Sequence, residues 1–272
     1  MFYKSDTLLI NPVTRPDYKK IEGYPEVVIL GHSTRWPEIL SSTSINNPNL
    51  TVLNHSLTRY GETVLFLSYG RQILYTFTSE GSLSLHTKIV KAAFNGAKYI
   101  INIGCAGSIN ENLNIGDIVI CNRAVRDSGF GNLLATPDQI AVCSPFLNAL
   151  LLNSASNLSN KTMSFPKSIL GNIWCVNTLY YSKEDALRAK EKGCDIVEME
   201  METGAITTGW LNENFFNDNP IHYSQISYIS DKVPLNQESW SDVFADGRTN
   251  EMIKGKVNSL LVVLETFKNS IK

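Results

Sequence analysis

Apolar, β-branched segments alternate with helix-like segments along most of the chain, a rhythm typical of α/β proteins. The apolar runs predict strands at Val27–Leu30, Thr63–Leu67, Gln72–Phe77, Tyr99–Ile103, Asp117–Cys121, Ile169–Trp174, Asp195–Met199 and Gln225–Ile229. Helical spacing of apolar residues predicts helices at Leu85–Asn95, Pro145–Ser156, Lys183–Lys192, Thr203–Asn212 and Asn250–Ser270. Because the chain contains no internal repeat and no separating linker, we expect residues 1–272 to form one domain with a sizeable core.

Composition and charge exclude several classes of protein. The 24 Lys and Arg residues nearly balance the 26 Asp and Glu residues, so the sequence lacks the basic excess of a nucleic-acid binder. No apolar stretch reaches the roughly 20 residues that span a bilayer, and the first residues lack a signal peptide's apolar core. The five cysteines lack CxxC spacing and the four histidines are scattered, so we expect no metal site and histidines that are structural or exposed. These features predict a soluble, cytoplasmic protein.

Unusual residues follow several predicted strands, at positions where open α/β sheets collect their ligands. Gly31 follows the first strand, and Arg35 could supply a planar cationic group for an oxyanion. A plain turn with a surface arginine would give the same pattern. The segment Gly104–Gly107 places two glycines around small residues, which favours either a backbone cradle for an anion or a tight turn.

The segment Glu198–Glu202 reads Glu-Met-Glu-Met-Glu directly after an apolar pair. In a strand, this alternation places the three glutamates on one face and the methionines on the other. Carboxylates buried in this way are costly unless they hold a cation or a polyhydroxyl ligand, and a ribose fits because one carboxylate can accept hydrogen bonds from two neighbouring hydroxyls. The alternative is that only the last glutamate is buried and the others reach solvent.

Two further side chains could act on a substrate. Asp231 ends an apolar strand, where an aspartate is either the N-cap of a helix or a general acid whose pKa rises in an enclosed pocket. Tyr180 could offer an aromatic face to a planar base, or it could pack against the core.

In their order and spacing, these junctions resemble the nucleoside phosphorylase family. That family includes hexameric bacterial purine nucleoside phosphorylases, uridine phosphorylases and methylthioadenosine/adenosylhomocysteine nucleosidases. The similarity extends from about Val27 to the final predicted helix. The resemblance implies an α/β fold with a single domain, in which a central mixed β-sheet is partly closed into a barrel and flanked by helices.

The resemblance also implies a phosphate site. Gly31 and Arg35 match phosphate-binding positions of the family, and Arg59 matches an arginine that the family donates across a subunit interface. Cys105 stands where the family has a serine or threonine, and we expect it to contact both phosphate and nucleoside. The family's Gly-Asp-Pro at the first junction is replaced by Gly31-His32-Ser33. Asn102 occupies a position where phosphorolytic members usually carry an arginine and hydrolytic nucleosidases an asparagine.

For the nucleoside, the resemblance implies that Asp231 is the catalytic residue, matching an aspartate that protonates a purine at N7. The expected nucleoside-binding residues are Cys105, Ala106, Gly107, Tyr180, Glu200, Met201 and Glu202. The Glu-Met-Glu signature occurs twice in overlap. We prefer the register in which Glu202 binds the ribose, because the other register leaves an unpaired charge on a helix face that packs against the sheet.

The expected function is that of a purine nucleoside phosphorylase, a pentosyltransferase that converts a (deoxy)ribonucleoside and phosphate to free base and ribose 1-phosphate. The alternatives are a nucleoside hydrolase, a uridine phosphorylase and a catalytically silent nucleoside-binding protein. Inorganic phosphate is the implied co-substrate, with no cofactor. We expect no partnership with nucleic acid or membranes. The resemblance implies a homo-oligomer, either a dimer or a hexamer, with the active site at the subunit interface.

Overall fold

The computed structural model describes residues 21–32, 49–58, 61–78, 81–178, 180–235, 241–242 and 249–269. The strands in these ranges are β1 (Val27–Gly31), β2 (Leu50–Thr58), β3 (Gly61–Ser68), β4 (Arg71–Phe77), β5 (Tyr99–Ser108), β6 (Ile118–Arg126), β7 (Ala141–Val142), β8 (Ser168–Cys175), β9 (Ile196–Glu198), β10 (His222–Lys232) and β11 (Ser241–Asp242). The helices are α1 (Ser82–Asn95), α2 (Pro145–Lys161), α3 (Lys183–Glu191), α4 (Met201–Asn214) and α5 (Thr249–Asn269), with a 3₁₀-helix at Phe130–Leu133.

All the described strands belong to one mixed sheet. Its order is β11-β10-β6-β8-β9-β5-β1-β4-β3-β2, with β7 beside β6. A further parallel pairing of β10 with β5 joins the two ends of the run from β10 to β5, so these five strands close into a barrel. β1 and β4 continue from β5 in parallel, and β3 and β2 follow antiparallel. The predicted mixed sheet, partly closed into a barrel and flanked by helices, is confirmed.

Helices cover both faces of the sheet, and β1 shows how the core is divided. Val28 and Leu30 pack into a cluster with residues of α1 and α4, whereas Val27 and Ile29 pack into a second cluster with residues of α2 and α5. A strand buried on both faces appears in the sequence as a continuous apolar run, which explains why the sequence predicts β1 correctly. The five predicted helices are confirmed, and α2 continues beyond its predicted end to Lys161.

The main difference from the sequence prediction is the length of β5. This strand continues past Ile103 to Ser108, so Gly104–Gly107 do not form the tight turn or the loop cradle considered above. They pair instead with the Ser227–Asp231 segment of β10. Glycine and alanine have a low intrinsic preference for strands, but pairing along a central strand overrides that preference. The sequence also does not predict β2, an edge strand whose register shifts between Val52 and Asn54.

Two glycines of α4 allow a matched test of this packing. A Cβ atom on Gly204 would overlap the buried ring of Tyr223 in β10, whereas a Cβ atom on Gly209 would meet nothing within 4 Å. We expect Gly204→Ala to lower the free energy of unfolding by about 1–3 kcal/mol or more, the cost of overpacking. Gly209→Ala should raise it by up to about 1 kcal/mol, because alanine is the better helix former. Urea unfolding measures both, and shifts of the same sign would contradict the packing described.

Candidate active site

The candidate site lies where one edge of β5 changes its partner. Ile103 still pairs with Gly31 of β1, and Gly107 pairs with Val197 of β9. Among the described residues, no strand occupies that edge between these two points, although the opposite edge is paired with β10. Because β9 runs antiparallel to β5, its last residue, Glu198, ends beside the same gap. Ligands of α/β sheets bind in such crevices, where neighbouring strands diverge.

Asp231 lies against the far end of this gap. It is inside β10, directly after a register shift that follows Ile229, so it does not cap a helix. Its side chain is close to the backbone of its partner Gly107, where a Cβ atom would lie 2.8 Å from Asp231 Oδ2. Ser230 Oγ donates a hydrogen bond to Asp231 Oδ1 at 2.6 Å and lies 3.3 Å from the carbonyl oxygen of Ala106. Gly107 is therefore required at this position because it admits the buried Asp231 carboxylate.

Glu198 is buried and organises the start of α4. Its carboxylate accepts hydrogen bonds from the backbone N–H groups of Glu200 at 2.8 Å and Met201 at 3.1 Å. Gln225 Nε2 donates a third bond to Glu198 Oε2 at 2.7 Å. Burial, followed by the neighbouring Glu200 carboxylate, raises the pKa of Glu198 to about 7. Glu198 therefore has a structural role, because its carboxylate is already bonded to the backbone N–H groups at the start of α4 and to Gln225.

Glu200 is the carboxylate that is placed to meet a ligand. It is 7% exposed, and its Oε1 atom accepts a hydrogen bond from the N–H of Gly81, directly before α1, at 3.2 Å. No hydrogen bond from a described residue reaches its Oε2 atom. Cys105 is partly exposed, yet its dense surroundings raise the pKa of its thiol to about 11, and the carboxylates of Glu200 and Asp231 add to the increase.

Glu202 has partners that differ from the expectation. It is 0% exposed, and its Oε1 atom lies 3.2 Å from Arg126 Nε and 3.1 Å from the N–H of Gly131. Its Oε2 atom accepts bonds from Ser128, from the hydroxyl at 2.7 Å and from the backbone N–H at 3.2 Å. Both oxygens are thus occupied by the chain itself. The sequence argument assumed that a charge at this position would otherwise be unpaired, whereas Arg126 pairs it.

The Glu-Met-Glu-Met-Glu segment is consequently not a strand with three glutamates on one face. β9 ends at Glu198 and α4 begins at Met201, so the chain turns between them and the carboxylates point to different partners. Met201 packs in the hydrophobic core and does not face the gap. The expected ribose-binding positions Met201 and Glu202 therefore belong to the interior, and Glu200 is the member of the signature that remains available.

Arg126 is a residue that sequence reasoning missed. Besides its bond to Glu202, its guanidinium donates to the carbonyl oxygens of Thr136 at 2.6 Å and Gln139 at 2.7 Å, and to the Asn132 side chain at 2.9 Å. A Cβ atom on Gly131 would lie 2.6 Å from both charged side chains. The ion pair thus connects α4 with the segment 128–139, which follows β6. A single arginine at a strand end gave no local signal of this role.

The aromatic residue expected at the base is not enclosed by this chain. Tyr180 is 93% exposed. Its neighbour Tyr181 packs edge-on against Trp174, with ring centroids 4.9 Å apart. Burial raises the pKa of Tyr181 to about 12, and Asp231 contributes to the increase, which places Tyr181 within electrostatic reach of the candidate acid. Tyr181 therefore packs inside this chain, against a cluster that contains Trp174 and Val197, whereas the sequence analysis had considered Tyr180 as the aromatic residue.

The phosphate positions are only partly visible. Gly31 is buried at the end of β1, and its carbonyl oxygen accepts a bond from the Tyr75 hydroxyl at 3.1 Å. Arg35 and Arg59 lie outside the described residues. Asn102 is fully buried and donates from Nδ2 to Gln225 Oε1 at 3.0 Å, so it faces the interior of the barrel. The arginine position of phosphorolytic relatives is thus filled here by a neutral, internally bonded side chain.

This arrangement combines two buried carboxylates, Glu200 and Asp231, with a gap beside Cys105, and it offers no described cluster of three His, Cys, Asp or Glu side chains that could hold a metal ion. A carboxylate can hold sugar hydroxyls, and a second one that keeps its proton can serve as an acid.

None of the helices in the described ranges is long and apolar enough to cross a membrane.

Sequence comparisons identify a family and relatives that this chain resembles. Residues 25–208 match the model of the phosphorylase superfamily. Over 179 residues, the chain is 27% identical to a DeoD-type purine nucleoside phosphorylase of Buchnera aphidicola subsp. Baizongia pistaciae, which covers 65% of this chain and 69% of that protein. Over 146 residues, it is 32% identical to a purine nucleoside phosphorylase of Plasmodium falciparum, which covers 49% of this chain and 54% of that protein.

Solved structures share the fold. A uridine phosphorylase of Vibrio fischeri superposes with a TM-score of 0.68 at 18% identity, covering 91% of this chain and 93% of that one. A purine nucleoside phosphorylase of Toxoplasma gondii in complex with immucillin-H gives a TM-score of 0.68 at 20% identity, covering 91% and 92%. At these identities the likeness shows the fold alone. Because the family model matches more than half of the 272 residues, the chain belongs to the phosphorylase superfamily.

Proposed function

We propose that this protein is a purine nucleoside phosphorylase, which uses inorganic phosphate to cleave the N-glycosidic bond of a (deoxy)ribonucleoside. The products are the free base and ribose 1-phosphate. The observation that supports this proposal best is the position of two buried carboxylates at the unpaired edge of β5, with Asp231 against Gly107 and Glu200 just after β9, which ends beside the same gap. Breaking this bond builds positive charge on the sugar and negative charge on the base. A carboxylate beside the sugar can stabilise the positive charge, and a protonated carboxyl group beside the base can neutralise the negative charge.

Asp231 acts on the departing base. The Ser230 hydroxyl donates to Asp231 Oδ1 at 2.6 Å and holds the carboxyl group in place, and in the proposed role this carboxyl group gives its proton to the purine N7. A base that leaves protonated is neutral, so the transition state avoids a full negative charge. This role is the one implied by the resemblance of Ser230-Asp231 to the Ser-Asp pair of purine-specific relatives.

Glu200 acts on the sugar. Its Oε2 atom is available for the 2′ and 3′ hydroxyls, while the bond from Gly81 to Oε1 keeps the carboxylate in place. The negative charge then lies near the sugar that becomes positively charged in the transition state. We therefore assign the ribose to the first Glu-Met-Glu register, with Glu200 as its second glutamate, in place of Glu202.

Phosphate is the proposed nucleophile. Phosphorylases of this family take inorganic phosphate as co-substrate and need no further cofactor. Gly31, Arg35, Arg59 and Cys105 are the proposed phosphate-binding positions, and the similarity to purine nucleoside phosphorylases supports a purine substrate. We further propose that a second copy of the chain completes the site, because Tyr180 is largely exposed in the single chain.

The proposal is tested by incubating inosine, adenosine and uridine with the protein, each with and without inorganic phosphate, and separating the products by chromatography. We expect hypoxanthine and adenine to appear only with phosphate, together with ribose 1-phosphate. Base release without phosphate would identify a hydrolase. Preferential uracil release would identify a uridine phosphorylase. Nucleoside binding without any release would identify a catalytically silent protein.

A further inference from the structure

The two ring nitrogens of His32 are shielded from solvent. His32 directly follows β1, and no described residue offers a hydrogen-bond partner to Nδ1 or Nε2 of its ring. Burying a polar group without a hydrogen bond has a free-energy cost. The sequence predicts a structural or exposed histidine at this position, yet the ring forms no hydrogen bond with a described residue. A bound molecule that pairs with the ring would remove the cost.

The ring stands at the mouth of the gap in the β5 edge. His32 Cδ2 lies 3.9 Å from the position that a Cβ atom on Gly104 would occupy. Gly31, the preceding residue, pairs with Ile103, the last residue of β5 that has β1 as its neighbour. The imidazole therefore lies over the first residue of the unpaired edge, on the β1 side, whereas Asp231 lies over Gly107 at the far end.

Two described residues near this position are poor donors for an anion. The resemblance implies an arginine at position 102 of a phosphorolytic enzyme, but Asn102 stands there and its Nδ2 is already bonded to Gln225 inside the barrel. Gly31 contributes no side chain. An oxyanion at the β1 end of the gap would therefore need donors other than these two residues, and a ring N–H is a good donor to a charged oxygen.

We propose that His32 binds the inorganic phosphate co-substrate, donating a ring N–H to a phosphate oxygen and taking over part of the task of the absent arginine. This inference rests on the proposed phosphorylase function and adds a residue to its anion subsite. The same ring could instead meet a hydroxyl of the nucleoside, and the experiment below separates the two ligands.

Steady-state kinetics of His32→Ala and His32→Gln give the first test. For His32→Ala we expect the KM for phosphate to rise by about tenfold or more, as the loss of one hydrogen bond to a charged group implies, while the KM for inosine changes less than about twofold. His32→Gln keeps an N–H donor and should lie between wild type and His32→Ala. The matched control is His86→Gln in α1, whose ring is bonded to Thr207 at 3.0 Å and lies outside the site.

Each kinetic outcome either supports or overturns the proposal that His32 binds phosphate. A rise confined to the inosine KM would overturn the proposal and assign His32 to the nucleoside. Equal rises for both substrates, or no change in either, would also overturn it. Unfolding by urea checks that each variant is folded before its constants are compared.

A second measurement does not depend on catalysis. The protein has four histidines, so the ¹⁵N imidazole signal of His32 can be identified as the one missing from His32→Ala. Titration with inorganic phosphate, without nucleoside, should shift that signal, and sulfate should shift it as well. A shift in a protein that cleaves no nucleoside would support this inference and reject the proposed function. Phosphorolysis without a shift would reject the inference and leave the function intact.

Discussion

Asp231→Asn is expected to lower kcat for purine release by about 10²–10⁴-fold, the usual contribution of a positioned general acid. The amide fills the same space and can still accept the bond from Ser230. It carries no acidic proton, however, so the purine must leave as an anion. The KM for the nucleoside should change little, because the variant removes an interaction that matters mainly in the transition state. Steady-state assays with inosine at saturating phosphate measure both constants.

A substrate that needs no proton sharpens this test. We expect Asp231→Asn to retain most of the wild-type rate on 4-nitrophenyl riboside, whose leaving group departs as a stable anion. Asp138→Asn, at an exposed loop aspartate, is the matched control and should leave both rates unchanged. Equal losses on inosine and on the nitrophenyl substrate would show that Asp231 supports the site in another way.

Glu200→Gln is expected to lower kcat/KM for ribonucleosides by roughly 10–100-fold, because bonds from the ribose hydroxyls to a charged carboxylate are lost. The glutamine oxygen can still accept the bond from Gly81, so the start of α1 is preserved. Because 2′-deoxynucleosides lack one of the hydroxyls, they should lose less. The ratio of kcat/KM between inosine and 2′-deoxyinosine should therefore fall towards one, and this ratio is the quantity to measure.

Glu202→Gln is the matched comparison, since Glu202 lies two residues further along and has no exposed surface. This variant should keep the ratio between inosine and 2′-deoxyinosine. It should lose stability, about 3–5 kcal/mol, because the buried Arg126 charge would lack its counter-charge. Urea unfolding measures that loss. If Glu202→Gln abolishes the preference for ribose and Glu200→Gln preserves it, the ribose belongs to Glu202 after all.

The fold could be predicted where local patterns and tertiary structure agree. Strands buried on both faces, such as Val27–Gly31, appear as apolar runs, and the helices follow their apolar spacing. The prediction was wrong at Gly104–Gly107, where small residues indicate a turn or a loop cradle and the structure forms a strand. Pairing with β10 decides that conformation, and its residues lie more than a hundred positions further along the chain. No local window contains that information.

Parts of the candidate site were predictable for the same reason. Gly31, Cys105, Gly107 and Asp231 stand at strand positions that converge on one gap, as the α/β rhythm indicates. The assignment within the glutamate signature was not predictable. Whether a buried carboxylate is free for a ligand depends on its partner, and Glu202 has Arg126, which lies 76 residues earlier. The role proposed for His32 was not predictable either, because only the structure reveals that no described residue bonds to its ring nitrogens.

The closure of the barrel by β10 has a consequence for the synthesis of the protein. Until His222–Lys232 has left the ribosome, β5 and β6 each lack the neighbour that this strand supplies in the folded chain. Open strand edges are templates for association between chains, and long-range pairing is slow to form. The growing polypeptide therefore depends on this late strand both for protection from aggregation and for Asp231, the proposed acid, so a chain terminated before residue 222 would lose solubility and the proposed activity together.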